Sequence, residues 1–259
     1  MVLYATPRNG TSQVWMKDLA KGEESVIAPG PNASVPVWVN GGKLVAFVQK
    51  LGKRSDEYLL ELATGQTRKV YQGGFFWDVN AAGTVALAQA SDSNQSDILA
   101  VDLKTGRSSA ILRAVPGVPL IQPKFSPDAA WIVFLANTGP GSAQIHAARE
   151  NGFSEIPRGE WMPVTDGRTT VDQPRFSPDG KLIYFTQDGD GSRGIRAIRF
   201  DPRTGETLGD SFRVFDSEEP RLALFGVSAR SQGIGIAKDK LLMLLAERSS
   251  NLWTTVIEP

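Results

Sequence analysis

The 259-residue sequence has no cysteine and a single histidine, His146. Without thiols it cannot build a disulfide scaffold, a thiolate zinc site or a cysteine nucleophile, and one imidazole cannot supply a histidine-rich metal site. Neither sign of charge is in excess, since 28 Lys and Arg balance 28 Asp and Glu. No positive field is left over to hold a phosphate backbone or an anionic leaflet, so neither nucleic acid nor direct membrane insertion is expected. Long apolar runs are missing as well: the longest, LLMLLA at 241–246, falls far short of the roughly 20 residues that span a bilayer. The N-terminal MVLYATPRNG lacks the basic region, apolar core and small-residue site of an export signal. As written, the chain reads as cytoplasmic. Its opening inside a hairpin suggests a piece of a longer protein, and a membrane-tethered parent would place it outside the cytoplasm. No stretch carries the 3.6-residue period that a crossover helix needs, which disfavours a parallel α/β sheet.

What is present is repetition. QPKFSPDAAWIVF at 122–134 returns as QPRFSPDGKLIYF at 173–185, and weaker copies occur as VPVWVNGGKLVAF at 35–47 and WDVNAAGTVALA at 77–88. A last, degenerate copy is GIGIAKDKLLMLL at 233–245. The aligned apolar positions Trp38, Val79, Phe125 and Phe176 are 41, 46 and 51 residues apart. Between the copies lies a second signature, DLAKG at 18–22, ELATG at 61–65, DLKTG at 102–106 and DPRTG at 201–205. An acid that bonds the backbone ahead of it, followed by a glycine with positive φ, predicts a tight turn between antiparallel strands. The residues nine before each glycine, Gln13, Asp56, Asp97 and Arg196, fit a strand whose start is solvated.

Four short strands per repeat of 40–50 residues predict an all-β propeller of four-stranded antiparallel blades. One domain over 1–259 is expected, with six blades at about 1–30, 31–73, 74–116, 117–166, 167–219 and 220–259, the first and last incomplete. The SPDG turn would join the two inner strands, and Phe125 and Phe176 would fill the space between blades.

At FSPDG (176–180), FSPDA (125–129) and the acid-x-x-x-Gly turns, the sequence resembles the TolB-type six-bladed propeller repeats. Such repeats also occur as sensor-like domains at the C-termini of bacterial membrane-tethered kinases and winged-helix regulators, and as the non-catalytic propeller of prolyl-oligopeptidase-like enzymes. The ending SSNLWTTVIEP is similar to the terminal blade of the tethered group. The resemblance implies a binding or scaffold role in a larger signalling protein.

Chemistry-bearing candidates are few. His146, in the strand AQIHAA, reads as structural, and no GxSxG elbow exists, so acyl transfer by a serine is not expected. Asp188, Asp190 and Ser192 in DGDGSR, and DSNQS at 92–96, copy the early spacing of a calcium loop without its later Glu, and read as turns. RGIRAIRF at 193–200 splits its arginines over two faces and reads as a solvated strand with local ion pairs. The surface where many repeats converge is the channel mouth, formed by the loops leading into each innermost strand: 29–34, 72–77, 117–122, 167–173 and 220–225. There Phe75, Phe76, Trp77 and Phe225 offer apolar area, with core filling as the competing role for Trp77, and Gln122, Arg168, Asp172 and Gln173 offer polar contacts. That composition suits a protein or peptide partner, or a small amphipathic ligand, bound by a monomer with no cofactor and no enzymatic activity. The rival is a calcium-dependent propeller enzyme, a lactonase or sugar-processing enzyme, which would need converging carboxylates on the innermost strands.

Overall fold

The computed structural model describes residues 1–8, 10–28, 30, 32–52, 54–72, 74–90, 96–139, 142–189, 193–216, 222–224, 234–237 and 239–247. Among these the regular structure is 23 short strands and two single 3₁₀ turns.

The strands form consecutive antiparallel meanders. The first sheet has three strands, β1 (Val2–Arg8), β2 (Thr11–Lys17) and β3 (Glu24–Ala28). Four complete four-stranded sheets follow. They are β4 (Ala33–Val39), β5 (Leu44–Leu51), β6 (Arg54–Glu61) and β7 (Thr67–Gln72); then β8 (Gly74–Val79), β9 (Val85–Ala90), β10 (Ile98–Asp102) and β11 (Ser108–Leu112). The fourth sheet is β12 (Leu120–Phe125), β13 (Trp131–Gly139), β14 (Ser142–Arg149) and β15 (Met162–Pro163). The fifth is β16 (Val171–Phe176), β17 (Leu182–Asp188), β18 (Arg193–Phe200) and β19 (Thr207–Phe215).

The propeller class is as expected, but the blade count is not: among the described residues five blade sheets form, not six. The C-terminal strands instead make two separate pairs, β20 (Leu222–Leu224) with β23 (Leu245–Glu247) and β21 (Ile234–Ile236) with β22 (Leu241–Met243). The degenerate copy at 233–245 keeps Asp239 but has lost the proline and glycine of the turn, and three-residue strands hold too few ladder bonds to extend into a full blade.

The packing follows from the pleat. Along β13, Trp131, Val133 and Leu135 join Phe176, Ile183 and Phe185 of the fifth sheet, while Ile132, Phe134 and Ala136 join Leu87, Ile98 and Ile111 of the third. A strand with period-two side chains and a neighbour on both faces must be apolar throughout, which is why WIVFLA contains no polar residue. Phe125 and Phe176 fill the spaces between successive sheets, as the repeat implied.

The two turn signatures close opposite strand pairs on one face. In SPDA and SPDG the bonds coincide atom for atom: Ser126 and Ser177 hydroxyls donate to Asp128 and Asp179 at 2.5 Å, and each accepts from the backbone N–H five residues on, Trp131 and Leu182, at 2.9 Å. In the acid-x-x-x-Gly turns, Gly22, Gly65, Gly106 and Gly205 donate to the carbonyl four residues back at 2.8 Å. The Asp18, Asp102 and Asp201 carboxylates accept from the N–H two residues on at 2.9 Å. The opposite face carries the loops leading into the inner strands.

Of the strand starts read as solvated, Gln13 is half-buried, while Asp56, Asp97 and Arg196 form ion pairs in which the two carboxylates are buried and the cations of their partners stay partly exposed. Asp56 accepts from Arg54 at 3.0 Å and lies 3.1 Å from Lys69; Asp97 accepts from Arg113 at 3.0 Å; and Arg196 donates to Asp216 at 2.7 Å. The pairs with Lys69, Arg113 and Asp216 tie the third strand of the blade, or the residue just before it, to the outermost strand or the residue just beyond it.

Candidate functional site

Each inner strand is broken by a bulge at the same repeat position, between Ser34 and Val37, Phe76 and Asp78, Ile121 and Lys124, and Asp172 and Arg175. In three of the four, a proline occupies the bulge, where no ladder donor is required. The residue before it is left-handed: Val35 at φ 49°, Gln122 at φ 57° and Gln173 at φ 59°. The bulge turns Gln122 and Gln173 inward, so both are almost wholly buried. There the Gln173 N–H donates to the Gln122 side-chain oxygen at 2.8 Å, linking adjacent inner strands.

The residues after the prolines then meet in the interior. Lys124 donates to the Trp77 carbonyl and lies 3.7 Å from Asp78 of the preceding inner strand. Asp78 also accepts from the Phe125 N–H at 2.9 Å. Arg175 donates to the Pro174 carbonyl at 3.2 Å and reaches the Gln173 oxygen at 3.5 Å. Burial pushes Lys124 down to about 7 and Arg175 down to about 10, with Asp78 opposing both shifts. Sequence reading missed Asp78, Lys124 and Arg175. Their signal was a charged letter, at aligned positions one before Val79, Phe125 and Phe176, inside strands that burial makes apolar elsewhere.

On the loop face, an open cleft of about 520 Å³ lies between the fourth and fifth sheets. Two of the expected mouth loops form its walls through Gly117, Pro119, Ile121, Thr170 and Val171, and Leu135 and Ala143 add apolar surface. Its polar end is Asp172 and Arg193, 3.6 Å apart. Burial raises the Asp172 carboxyl against a Gln122 hydrogen bond and the nearby Arg193. Arg193 is held in turn by Asp188 at 2.6 Å, which keeps the guanidinium charged.

The expected site residues therefore separate. Asp172 lines the cleft, while Gln122 and Gln173 sit beneath it as buried links between inner strands. Arg168 is on the right loop but is 86% exposed, beside Asp166 at 3.6 Å. Phe76 and Trp77 offer no area at the mouth: each is 2% exposed. Phe76 stacks on Tyr71 at 5.8 Å within the core between the second and third sheets, because the start of β8 already lies between blades. The Phe75 side chain and Phe225 fall outside the described residues, as do Asp190 and Ser192. Asp188 spends its carboxylate on Arg193 rather than standing open. His146 is half-buried between Phe134 and Trp161, with ring centroids at 5.8 and 5.9 Å, and burial lowers its basicity. This is the structural role read from its strand. Among the described residues, no three His, Asp or Glu side chains converge as a metal-binding group.

No protein-family model matches the sequence, and no curated protein does. Many solved structures resemble the fold. TolB from Acinetobacter baumannii superposes with a TM-score of 0.62 at 21% identity, over 79% of this chain and 51% of that one, so the chain spans about half of TolB's length. An oligogalacturonate lyase in complex with manganese gives 0.57 at 14% identity, covering 95% of this chain and 85% of the lyase. The β-propeller domain of the Trilobed protease from Pyrococcus furiosus, described as having an open velcro topology, gives 0.56 at 15% identity over 95% and 87%. At these identities the likeness is one of fold, and the chain has a β-propeller fold similar to that of TolB.

Proposed function

We propose that the chain is a non-catalytic binding propeller that takes a peptide segment in the cleft between its fourth and fifth sheets. The observation that carries this reading is the cleft itself, where two loops from different repeats bring Pro119, Ile121 and Val171 against the Asp172–Arg193 pair. An apolar trough ending in one charged pair suits an extended segment with an apolar side chain and a polar neighbour. The chain's one histidine is enclosed by Phe134 and Trp161, and there is no cysteine, so neither is placed to act as base or nucleophile in the cleft. The resemblance of the SPDG and acid-x-x-x-Gly turns to propellers of tethered kinases and winged-helix regulators supports a sensor or interaction module of a larger signalling protein.

The test is a random-peptide display selection against the folded chain. Selected peptides should lose at least about tenfold in affinity, about 1.4 kcal/mol, to Asn137→Trp, which fills the cleft. They should be indifferent to Asp179→Ala with Lys181→Ala on the opposite face. Peptides that ignore the first variant and fail on the second would overturn the proposal, as would lactonase, esterase or peptidase turnover that a cleft substitution abolishes.

A further inference from the structure

At the centre of the ring, two cations occupy the same repeat position on adjacent inner strands, Lys124 on β12 and Arg175 on β16. The carboxylates around them are few and mostly engaged. Asp78 is 3.7 Å from Lys124 and already accepts from the Phe125 N–H at 2.9 Å. Asp172 is drawn to Arg193 at 3.6 Å and to Gln122. Among the described residues, no carboxylate oxygen lies within 4.0 Å of the Arg175 guanidinium. Its two bonds go to a neighbouring carbonyl and a Gln oxygen, at 3.2 and 3.5 Å. A guanidinium has five donors in a planar fork that matches a carboxylate. Removing such a group from water without a paired anion is costly.

We propose that Lys124 and Arg175 together bind a carboxylate that enters the centre of the ring, the fork of Arg175 taking both oxygens and Lys124 taking one. The charge count selects the class. Asp78 and Asp172 already match the two cations in number but neither reaches the Arg175 fork, so a singly charged carboxylate adds the least repulsion, whereas a phosphate dianion or a polyanion would face two carboxylates with more charge. Either a free small acid or the C-terminal carboxylate of a peptide offers this chemistry. Lys124 and Arg175 do not line the cleft, although Asp172 borders both, and the proposal does not depend on the reading given to the cleft.

The experiment is a titration of the intact wild-type chain followed by side-chain nitrogen NMR of Lys124 and Arg175, assigned with Lys124→Arg and Arg175→Lys. The probes are acetate, N-acetylglycine and N-acetylglycinamide. Acetate and N-acetylglycine should shift both resonances saturably, with Kd on the order of millimolar, and the amide should not. Binding should weaken at least about tenfold between about pH 6 and about pH 8.5, as Lys124, which faces Asp78 and Arg175, loses its proton. Tighter binding of N-acetylglycine than of acetate assigns the site to a peptide terminus, and equal binding assigns it to a free acid. Arg175→Gln should abolish the Lys124 response while Arg175→Lys retains it. If neither acid shifts either resonance in the wild-type chain, or the amide shifts them as much as the acids, the proposal is wrong. Because the acids are titrated into wild-type protein, the readout does not depend on Arg175→Gln folding, and the assignment uses the two charge-conserving variants.

Discussion

Gly205 shows how a single hydrogen atom sets the contact between two blades. Its turn in the fifth sheet lies flat on Trp131 of the fourth, whose indole N–H donates to the Pro202 carbonyl at 2.7 Å. A Cβ at Gly205 would overlap the indole ring, and φ is +81°. Gly65, at φ +69°, has nothing within 4 Å of the same point. Gly65→Ala should therefore cost only the left-handed backbone, about 1–2 kcal/mol. Gly205→Ala should cost about 2–4 kcal/mol, because a rigid ring must also move. Urea unfolding of the two variants measures the difference, and equal losses would deny the inter-blade contact. Glu57 is the opposite case, a polar group where its repeat equivalents Val14, Ile98 and Ala197 are apolar. It is wholly buried and accepts the Phe76 N–H at 3.2 Å, leaving Oε2 without a partner. Burial raises its pKa well above the ordinary 4.5, Asp56 adds to the rise, and the Phe76 bond opposes it. A raised carboxyl favours folding only while the unfolded chain is also protonated. The contribution of Glu57 to stability is thus most favourable below about pH 4.5 and declines as pH climbs toward the raised value. Glu57→Gln should raise the melting temperature by a few degrees at about pH 8 and leave it nearly unchanged at about pH 4. A gain of the same size at both pH values would mean that ionisation is not the cause.

At the scale of the element, the repeat is a hydrogen-bond pattern first and a sequence second. SPDA and SPDG make the same bonds, yet Ala129 holds φ 58° where Gly180 holds φ 71°. Ala129→Gly should stabilise the chain by about 0.5–1 kcal/mol and Gly180→Ala should destabilise it by about 1–2 kcal/mol. Thermal unfolding of both variants checks the sign, and matching signs would contradict the equivalence of the turns. These turns were legible from the letters because Ser, Asp and Gly act within five residues. The same holds for Phe125 and Phe176, whose spacing alone placed them between blades. The bulge at Gln122 and Gln173 was not legible, since nothing in QP states that the chain will cross to positive φ there. Without the bulge, Lys124 and Arg175 read as ordinary outward-facing strand residues. Asp56, Asp97 and Arg196 failed for a related reason. Their partners Lys69, Arg113 and Asp216 lie 13, 16 and 20 residues away, and burial by the neighbouring sheet is a property of the ring, not of the strand.

At the scale of the molecule, the propeller class followed from periodicity because each sheet must bury both faces against copies of itself. The count of six did not survive at the C-terminal end. There the repeat has lost its proline and glycine, and among the described residues short pairs form beside the core made by Ile195, Leu224 and Ile234. That the loops 117–122 and 167–173 come together on the loop face was legible, since they wall the cleft, but the cleft lies between two sheets rather than at a mouth shared by all five loops. Its chemistry was not legible: an aromatic run such as FFW looks like a ligand surface until the neighbouring sheet is known to cover Phe76 and Trp77. The central claim is that binding occurs on this face, between the fourth and fifth sheets. The measurement that bears on it most directly is amide hydrogen exchange of the whole chain, with and without a display-selected peptide at saturation. Binding in the cleft predicts slowed exchange confined to 117–121, 135–139 and 170–172, with the turns at 126–129 and 177–180 unchanged. Protection centred on those turns, with the cleft segments unaffected, would contradict it.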